Sequence, residues 1–577
     1  MRLADSRRRL RAAVICLALL LSLFGGRLLQ LQGLDATAYA TEAAKGRMTT
    51  VTIPATRGTI TDRNGIALAA TVDAFDITAD QTLVQHPRAT AAALAPVLRL
   101  PAAALEATLS GTRRFVYVAK GVSPDVWRRV RDLNLSGTDG LPGIFGEPTS
   151  RRTYPAGTVG ANLVGFVGAD GHGLGGVEYA LDKSLAGTDG KITYERGPGG
   201  RRIPTGETVG RDAVPGRDVT LTIDRDIQWM AQQEIAAKVK ETGAKSGTVI
   251  VMDPRTGDLL AVATAPTFDP ANPGAAPEAA RGNRALTEAY EPGSTGKVIT
   301  ASALIENGAV TPDTPIDVPN RLRRAGKTFK DFHDHPTQKL TYTGTLAKSS
   351  NIGTILAAEK LGLPRLYPYL KAFGVGTPTG LGLPGEASGA VLPPSRWSGT
   401  TGYTMAFGQG YSVNAVQMAS VFATVANDGV RVAPRLVAAR AGADGTMHAT
   451  APSPRTRVIR PATAQTVRLM LETVLGEGGT APLARIAGYR VAGKTGTAQR
   501  FDPTCSCYRG FTMSFIGLAP VDKPRLVVAV TLQAPKSGIG GGSTGGPVFR
   551  DVMSFALQTL HIPPTGTRPP GLRIERN

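Results

Sequence analysis

Cysteine is nearly absent. The 577-residue chain holds three, too few for the disulfide framework of a small secreted scaffold. Cys505 and Cys507 stand as "CSC", without the C-x-x-C spacing of a redox or zinc site. They read as one loop whose thiols are either bonded to each other or free. Histidine is also scarce, with six residues. The "HDH" at His333–His335 has no further ligands around it and reads as two solvated histidines rather than a metal site. The G-x-S-x-G of a Ser-His-Asp hydrolase is missing. The nearest pentapeptide, "PGSTG" at Pro292–Gly296, lacks the first glycine. Acidic residues are few beside basic ones: 45 Asp+Glu against 65 Lys+Arg, a formal net charge of +20. Such a surplus suits nucleic acid, an anionic membrane or an anionic polymer. The arginines are spread along the whole chain without zinc-finger or basic-zipper spacing, which argues against nucleic acid. No internal repeat is found.

Long apolar runs are also rare, and the first decides the compartment. "MRLADSRRRLR" carries five arginines and one aspartate and is followed by the uncharged "AAVICLALLLSLFGG", Ala12–Gly26. Arginines ahead of an apolar run keep that end in the cytoplasm. Past Arg27, which can snorkel to the interface, apolar character resumes with "LLQL". An A-x-A triplet at Ala38–Ala40 lies too far from the run for a signal-peptide cleavage site. The reading is a cytoplasmic basic tail at 1–11 and an uncleaved transmembrane anchor at 12–31, favoured over the alternative, the apolar core of a cleavable signal peptide. The rest of the chain is then extracytoplasmic.

Beyond the anchor the chain is long enough for at least two domains. From 32 to about 222 it mixes short strand-like runs, Ala-rich stretches and dense glycines. Within it "RGTITDRNG" predicts a hairpin with glycine at the φ > 0 position, and "GVEYALDKSLAG" predicts a short helix. "TLTIDRDIQWMAQQEIAAKV" then predicts a helix capped by Asp224, with Ile227, Met230, Ala231 and Ile235 at helical spacing. "GTVIVMDPRTGDLLAVAT" predicts a hairpin of two β-runs, Val249–Met252 and Leu259–Ala263. A helix against an antiparallel sheet gives an α+β domain over 223–562. The Pro-rich 563–577 reads as a disordered tail.

"EPGSTGKVIT", Glu291–Thr300, sets Ser294 three residues before Lys297 at the start of an expected helix. Residues i and i+3 share a helix face, and the helix N-terminus offers free N–H groups to a serine that must carry negative charge. Lysine is a poor base at its free pKa of about 10.4, but burial or a nearby cation lowers it, so it could take the serine proton. Ser-x-x-Lys alone is weak, since a chain of this length holds about one by chance. "AKSSNIGT" adds Ser349-Ser350-Asn351, and "VAGKTGTAQ" adds Lys494-Thr495-Gly496-Thr497. S-x-x-K, S-x-N and K-T-G in that order, with domain-sized gaps, match the three signatures of penicillin-recognising serine acyl enzymes.

On these motifs, and on blocks such as "RRTYPAGTVGANLVGFVGADGHGLGGVE", "MAFGQGYSVNAVQMASVFATVANDG" and "GGSTGGPVF", the chain resembles the class B penicillin-binding proteins, membrane-anchored peptidoglycan D,D-transpeptidases. Ser349-Ser350-Asn351 and "FKDFHDHP" make it similar to the division-specific septal branch. The resemblance implies a serine β-lactamase-like transpeptidase domain behind an elongated, strand-rich N-terminal pedestal and a single anchor. It implies that Ser294 is the acyl nucleophile, Lys297 its base, Ser349 a proton relay, and Asn351 the group that orients Lys297 and the substrate amide. Lys494 would add a second positive charge that keeps Lys297 neutral. Thr495 and Thr497, flanking Gly496, would bind the substrate carboxylate. The N–H groups of Ser294 and Thr497 would form the oxyanion hole. Implied partners are peptidoglycan stem peptides of nascent strands made from lipid-linked precursor, β-lactams as dead-end substrates, a membrane glycosyltransferase and other divisome proteins. No metal or organic cofactor is implied. The alternatives are a D,D-carboxypeptidase or β-lactamase on the same fold, and a non-catalytic β-lactam sensor or divisome scaffold. The "FDPTCSCYRGF" loop is a departure that the family pattern does not require.

Overall fold

The computed structural model describes residues 6–34, 47–134, 140–195, 203, 208–502, 504–538 and 540–576. The apolar run forms one helix, Ser6–Leu29, which continues through a π-helical turn at Gln30–Leu34. The span Ser6–Gly33 contains an 18-residue window with a mean hydropathy of 2.2 and is long enough to cross a membrane, at about 1.5 Å per residue.

The chain divides into two compact units. One comprises Met1–Thr56 and Gly187–Pro215, the other Arg57–Ala186 and Gly216–Asn577. In the first, strands Met48–Ile53, Gly190–Glu195 and Thr208–Arg211 form an antiparallel three-stranded sheet with Gly190–Glu195 in the middle.

In the second unit, a seven-stranded sheet runs through the boundary expected at residue 222. Met447–Ala449, Val437–Ala441 and Val219–Leu221 are followed by Ile60–Thr61 and Ala67–Ala79, which in turn pairs with Val116–Val122 and Ile144–Thr153. The expected "RNG" hairpin joins Ile60–Thr61 to Ala67–Ala79, with Gly65 at φ 81° and the Asp62 carboxylate accepting the Asn64 and Ile66 N–H groups at 2.8 Å. Beneath it, the buried Glu178 carboxylate accepts from Arg57 Nε and Arg152 Nε, both at 2.7 Å. Arg57 also reaches Asp182 at 2.6 Å. Three sequence blocks that look unrelated along the chain, "RGTITDRNG", "RRTYPAG" and "GGVEYALD", are thus joined by one charge cluster.

The larger part of this unit is built on helices α1 (Arg225–Thr242), α2 (Lys297–Glu306), α3 (Asn351–Leu361), α4 (Ala415–Ala426) and α5 (Gly541–Thr559). Its sheet has strands β1 (Ser246–Met252), β2 (Leu259–Ala265), β3 (Ala492–Asp502), β4 (Cys507–Ala519) and β5 (Leu526–Gln533), all antiparallel, in the order β2–β1–β5–β4–β3. Every residue of β1, β2 and β5 is buried, the pattern of a sheet covered on both faces. α1 and α5 pack against each other and on the sheet, and α4 lies against β1 and β5. α1 starts at Asp224, whose side chain accepts from the Asp226 and Ile227 N–H groups. α4 is buried at all of its residues and opens on a capping box between Asn414 and Gln417. It is a core helix, and its apolar circumference follows from that position.

The expectation of a disordered tail needs correction. Thr341 N–H donates to Ile574 O at 3.0 Å, Arg576 N–H donates to Lys339 O at 3.0 Å, and Thr565 N–H donates to Gly488 O at 2.9 Å. Proline cannot donate, but its neighbours can pair with the open edge of the strand Gln338–Thr341. The local composition carries no sign of that edge.

Candidate active site

Ser294 lies in a 3₁₀ turn, Gly293–Gly296, that runs straight into α2 at Lys297. The α-helix therefore begins one turn later than its sequence pattern predicts. A 3₁₀ turn holds three residues, so positions i and i+3 eclipse, and the expected shared face is kept. Gly293 sits at φ 56°, where a side chain is strained, and donates to Gly408 O at 2.8 Å.

Lys297 is fully buried. Its Nζ donates to the Ser349 carbonyl at 2.6 Å and to Asn351 Oδ1 at 2.8 Å. Both acceptors are neutral. Burial pushes its pKa down to about 7, against an opposing pull from the Asp331 charge. A lysine in that state holds and releases a proton near neutral pH.

Lys494, on the sheet's edge strand β3, is also fully buried. Its Nζ donates to Ser349 Oγ at 2.8 Å and lies 3.2 Å from Thr495 Oγ1. Its expected part is that of a second positive charge in the site. Burial first, and the charge of Lys297 second, depress it well below the ordinary lysine range. Two ammonium groups this deep cannot both stay charged at little cost, and the depression of Lys297 itself comes from burial.

Ser349 joins the three motifs, with its carbonyl on Lys297 and its hydroxyl on Lys494. Its φ is 59°, in the left-handed region that costs a non-glycine residue about 1–3 kcal/mol and persists only where neighbours hold it. Ser350 caps α3 by accepting from Gly353 N–H at 2.8 Å. A Cβ at Gly496 would stand 2.2 Å from Ser514 Oγ and 3.1 Å from Pro292 O, so a side chain there fits only if Ser514 turns away. Thr495 is nearly buried, with its hydroxyl 3.0 Å from that of Thr480. Ser294, Ser349, Asn351, Thr495 and Thr497 all line one cleft of about 570 Å³. The structure thus brings together all eight residues singled out from the sequence, seven of them within one set of contacts or one cleft wall, with Gly496 between Thr495 and Thr497 on the same strand.

Some features of the site lie outside the three catalytic motifs. Thr480, Asp331 and the Gly540–Ser543 segment line the same cleft. His335 corrects the reading of solvated histidines: its ring is 11% exposed and lies 3.1 Å from Asp331 Oδ2. Among the described residues, no group of three or more His, Cys, Asp or Glu is arranged to hold a metal ion. Cys505 and Cys507 are disulfide-bonded to each other. The next residue, Tyr508, donates to Glu291 Oε1 at 3.2 Å, three residues before Ser294.

A serine on the turn that opens a helix, two buried lysines and an S-x-N serine between them define a serine acyl enzyme of the penicillin-recognising kind. Comparison with known proteins agrees. The model of the penicillin-binding protein transpeptidase domain matches residues 247–554, and that of the penicillin-binding protein dimerisation domain matches residues 52–221. The chain is 37% identical to penicillin-binding protein PbpB of Mycolicibacterium smegmatis, over 95% of this chain and 90% of that protein. It is 32% identical to the peptidoglycan D,D-transpeptidase FtsI of Escherichia coli, over 95% of this chain and 91% of that protein. The crystal structure of penicillin-binding protein 3 from Mycobacterium tuberculosis complexed with aztreonam superposes with a TM-score of 0.71 at 33% identity, covering 91% of this chain and all of that one. The chain belongs to the class B penicillin-binding proteins, whose transpeptidase domain follows a dimerisation domain.

Proposed function

We propose that this protein is a peptidoglycan D,D-transpeptidase that cross-links stem peptides through an acyl-enzyme on Ser294 and is acylated at the same serine by β-lactams. The observation that carries the reading is Lys297, wholly buried, gripped only by neutral oxygens of Ser349 and Asn351, and depressed to about 7. That is the state a serine's general base needs.

Ser294 Oγ attacks the carbonyl between two D-alanines as its proton passes to Lys297. The developing oxyanion is met by the N–H groups of Ser294 and Thr497, each such donor being worth about 3 kcal/mol. Thr495 and Thr497 hold the terminal carboxylate, beside Gly496, which lets β3 approach the nucleophile's turn. The peptide bond breaks, and the leaving amine takes a proton relayed through Ser349, whose hydroxyl is held by Lys494. An amine from a neighbouring stem peptide then attacks the ester, loses a proton to the same lysine and frees Ser294, leaving a new amide cross-link.

The anchor crosses the membrane once, with its Arg-rich end in the cytoplasm and the catalytic unit outside. The protein acts at the division septum beside a membrane glycosyltransferase and other divisome proteins. The relatedness to FtsI and PbpB supports that placement.

Labelling with fluorescent penicillin tests the reading. The full chain in detergent should form a stable covalent band that disappears in Ser294→Ala and is strongly slowed in Lys297→Ala. Rapid loss of the label would point to a hydrolase, and equal labelling of Ser294→Ala would refute the site.

A further inference from the structure

The acyl-transfer mechanism makes no use of the first acidic residue in "FKDFHDHP". Asp331 lies on the cleft wall, and its carboxylate is almost fully engaged. Oδ2 accepts from the Ser350 hydroxyl at 2.6 Å. Oδ1 accepts from the backbone N–H groups of Asn351 at 2.6 Å and Ile352 at 3.0 Å. The carboxylate therefore closes the N-terminus of α3 from outside, where the helix dipole favours an anion. All three donors lie within three residues of Ser349, and Ser349 and Asn351 supply both oxygens that grip Lys297. Ser349 is in a strained conformation that its neighbours must enforce. Lys494 holds its hydroxyl, and Asp331 holds the two residues that follow it.

His335 backs this arrangement. Its Nδ1 lies 2.8 Å from Pro336 O and its Nε2 lies 3.1 Å from Asp331 Oδ2. A carbonyl and a carboxylate both only accept, so both contacts are hydrogen bonds at once only when both ring nitrogens carry hydrogen.

We propose that Asp331, backed by His335, is the positioning residue of the acylation site: it fixes Ser350, Asn351 and Ile352 so that Ser349 and Asn351 present their oxygens to Lys297. The proposal rests on Lys297 being the base.

The titratable groups around Lys297 are Asp331 on this loop and Lys494 on β3, with Lys348, Asp334 and His335 also on the cleft wall. Asp331 is the group whose charge favours the ammonium. Asp331→Asn keeps an oxygen for the two N–H groups and removes the charge. The ammonium then loses support, and Lys297 becomes neutral at lower pH.

The test is the second-order rate of fluorescent-penicillin acylation as a function of pH, on the full chain in detergent, for wild type, Asp331→Asn, Asp331→Glu and His335→Phe. In Asp331→Asn the acid limb should move to lower pH and the plateau should fall roughly tenfold, as expected from weakening hydrogen bonds to a charged group. Asp331→Glu should return the limb toward wild type, and His335→Phe should lower the plateau by a smaller factor. An Asp331→Asn protein that melts at a lower temperature but keeps the wild-type limb and plateau would make Asp331 a helix cap only and overturn the proposal. Unchanged kinetics in His335→Phe would remove His335 from it. Wild-type labelling in Lys297→Ala would instead refute the base assignment beneath it.

Discussion

Two places in the second compact unit bury a pair of cations, and they do opposite things with them. In the N-terminal part, Arg57 and Arg152 converge on Glu178, one on each carboxylate oxygen, and Arg57 takes Asp182 as well. In the cleft, Lys297 and Lys494 converge on Ser349, a neutral residue, with one ammonium on its carbonyl and the other on its hydroxyl. Guanidinium groups stay charged at any working pH and match a carboxylate as a fork. The first pair is therefore a fixed joint that ties three distant segments together. Ammonium groups without a bonded carboxylate respond to burial by losing their protons more easily, and the second pair becomes a place where a proton can move. The difference lies in the partner: a carboxylate makes a buried cation structural, and a neutral oxygen makes it reactive.

Exchanging features between the two pairs should break that contrast, and the largest effect is in the cleft. Lys297→Arg keeps a cation but cannot give up its proton, so acylation by penicillin should fall by about 10²–10⁴-fold, and the melting temperature should fall as well, because a guanidinium cannot shed its charge in a buried site. Stopped-flow labelling beside circular dichroism separates the two.

Next is Glu178→Gln in the N-terminal cluster. It removes the carboxylate that Arg152, 4% exposed, is paired with. Breaking a buried pair on one side costs about 3–5 kcal/mol. A denaturant melt should show that loss, and the folded fraction should still acylate at the wild-type rate.

An effect of comparable size is the pH dependence of stability. Lys297 titrates near 7 in the folded protein, against 10.5 for an ordinary exposed lysine such as it becomes on unfolding. Between those values the unfolded chain binds the extra proton, so stability rises with pH across that window and is level on either side of it. Subtracting the curve of Lys297→Met from that of wild type should show this slope. A Glu178→Gln curve should keep it.

The smallest effect is at the disulfide loop. Replacing Cys505 and Cys507 with serine removes the disulfide beside Tyr508, whose hydroxyl reaches Glu291. That bond is largely exposed, so acylation should change by less than about threefold, equally under oxidising and reducing conditions.

Much of this was legible in the chain alone, for reasons that differ by residue. Ser294 and Lys297 are neighbours on one turn, and Lys494 to Thr497 are consecutive on one strand, so short motifs capture them. The Asp224 cap and the hairpin around Gly65 are likewise local events, settled within a few residues. Asp331 is different. Its partners begin at Ser350, in a helix that the sequence links to it only through another strand and helix, and nothing in "FKDFHDHP" states that a helix end will arrive there. The depression of Lys494 was missed because it depends on depth and on the distance to Lys297, neither of which a motif encodes. The sheet through residue 222 and the docked tail were missed because strand edges find partners by tertiary approach.

The most direct measurement is the rate of penicillin acylation of the full-length protein from pH 5 to pH 10. If Lys297 is a buried, neutralisable base, the rate should rise through about pH 7 to a plateau, and the rise should vanish in Lys297→Arg along with most of the activity. A rate that climbs only near the pKa of a free lysine, about 10.4, or one that Lys297→Arg leaves intact, would contradict the account.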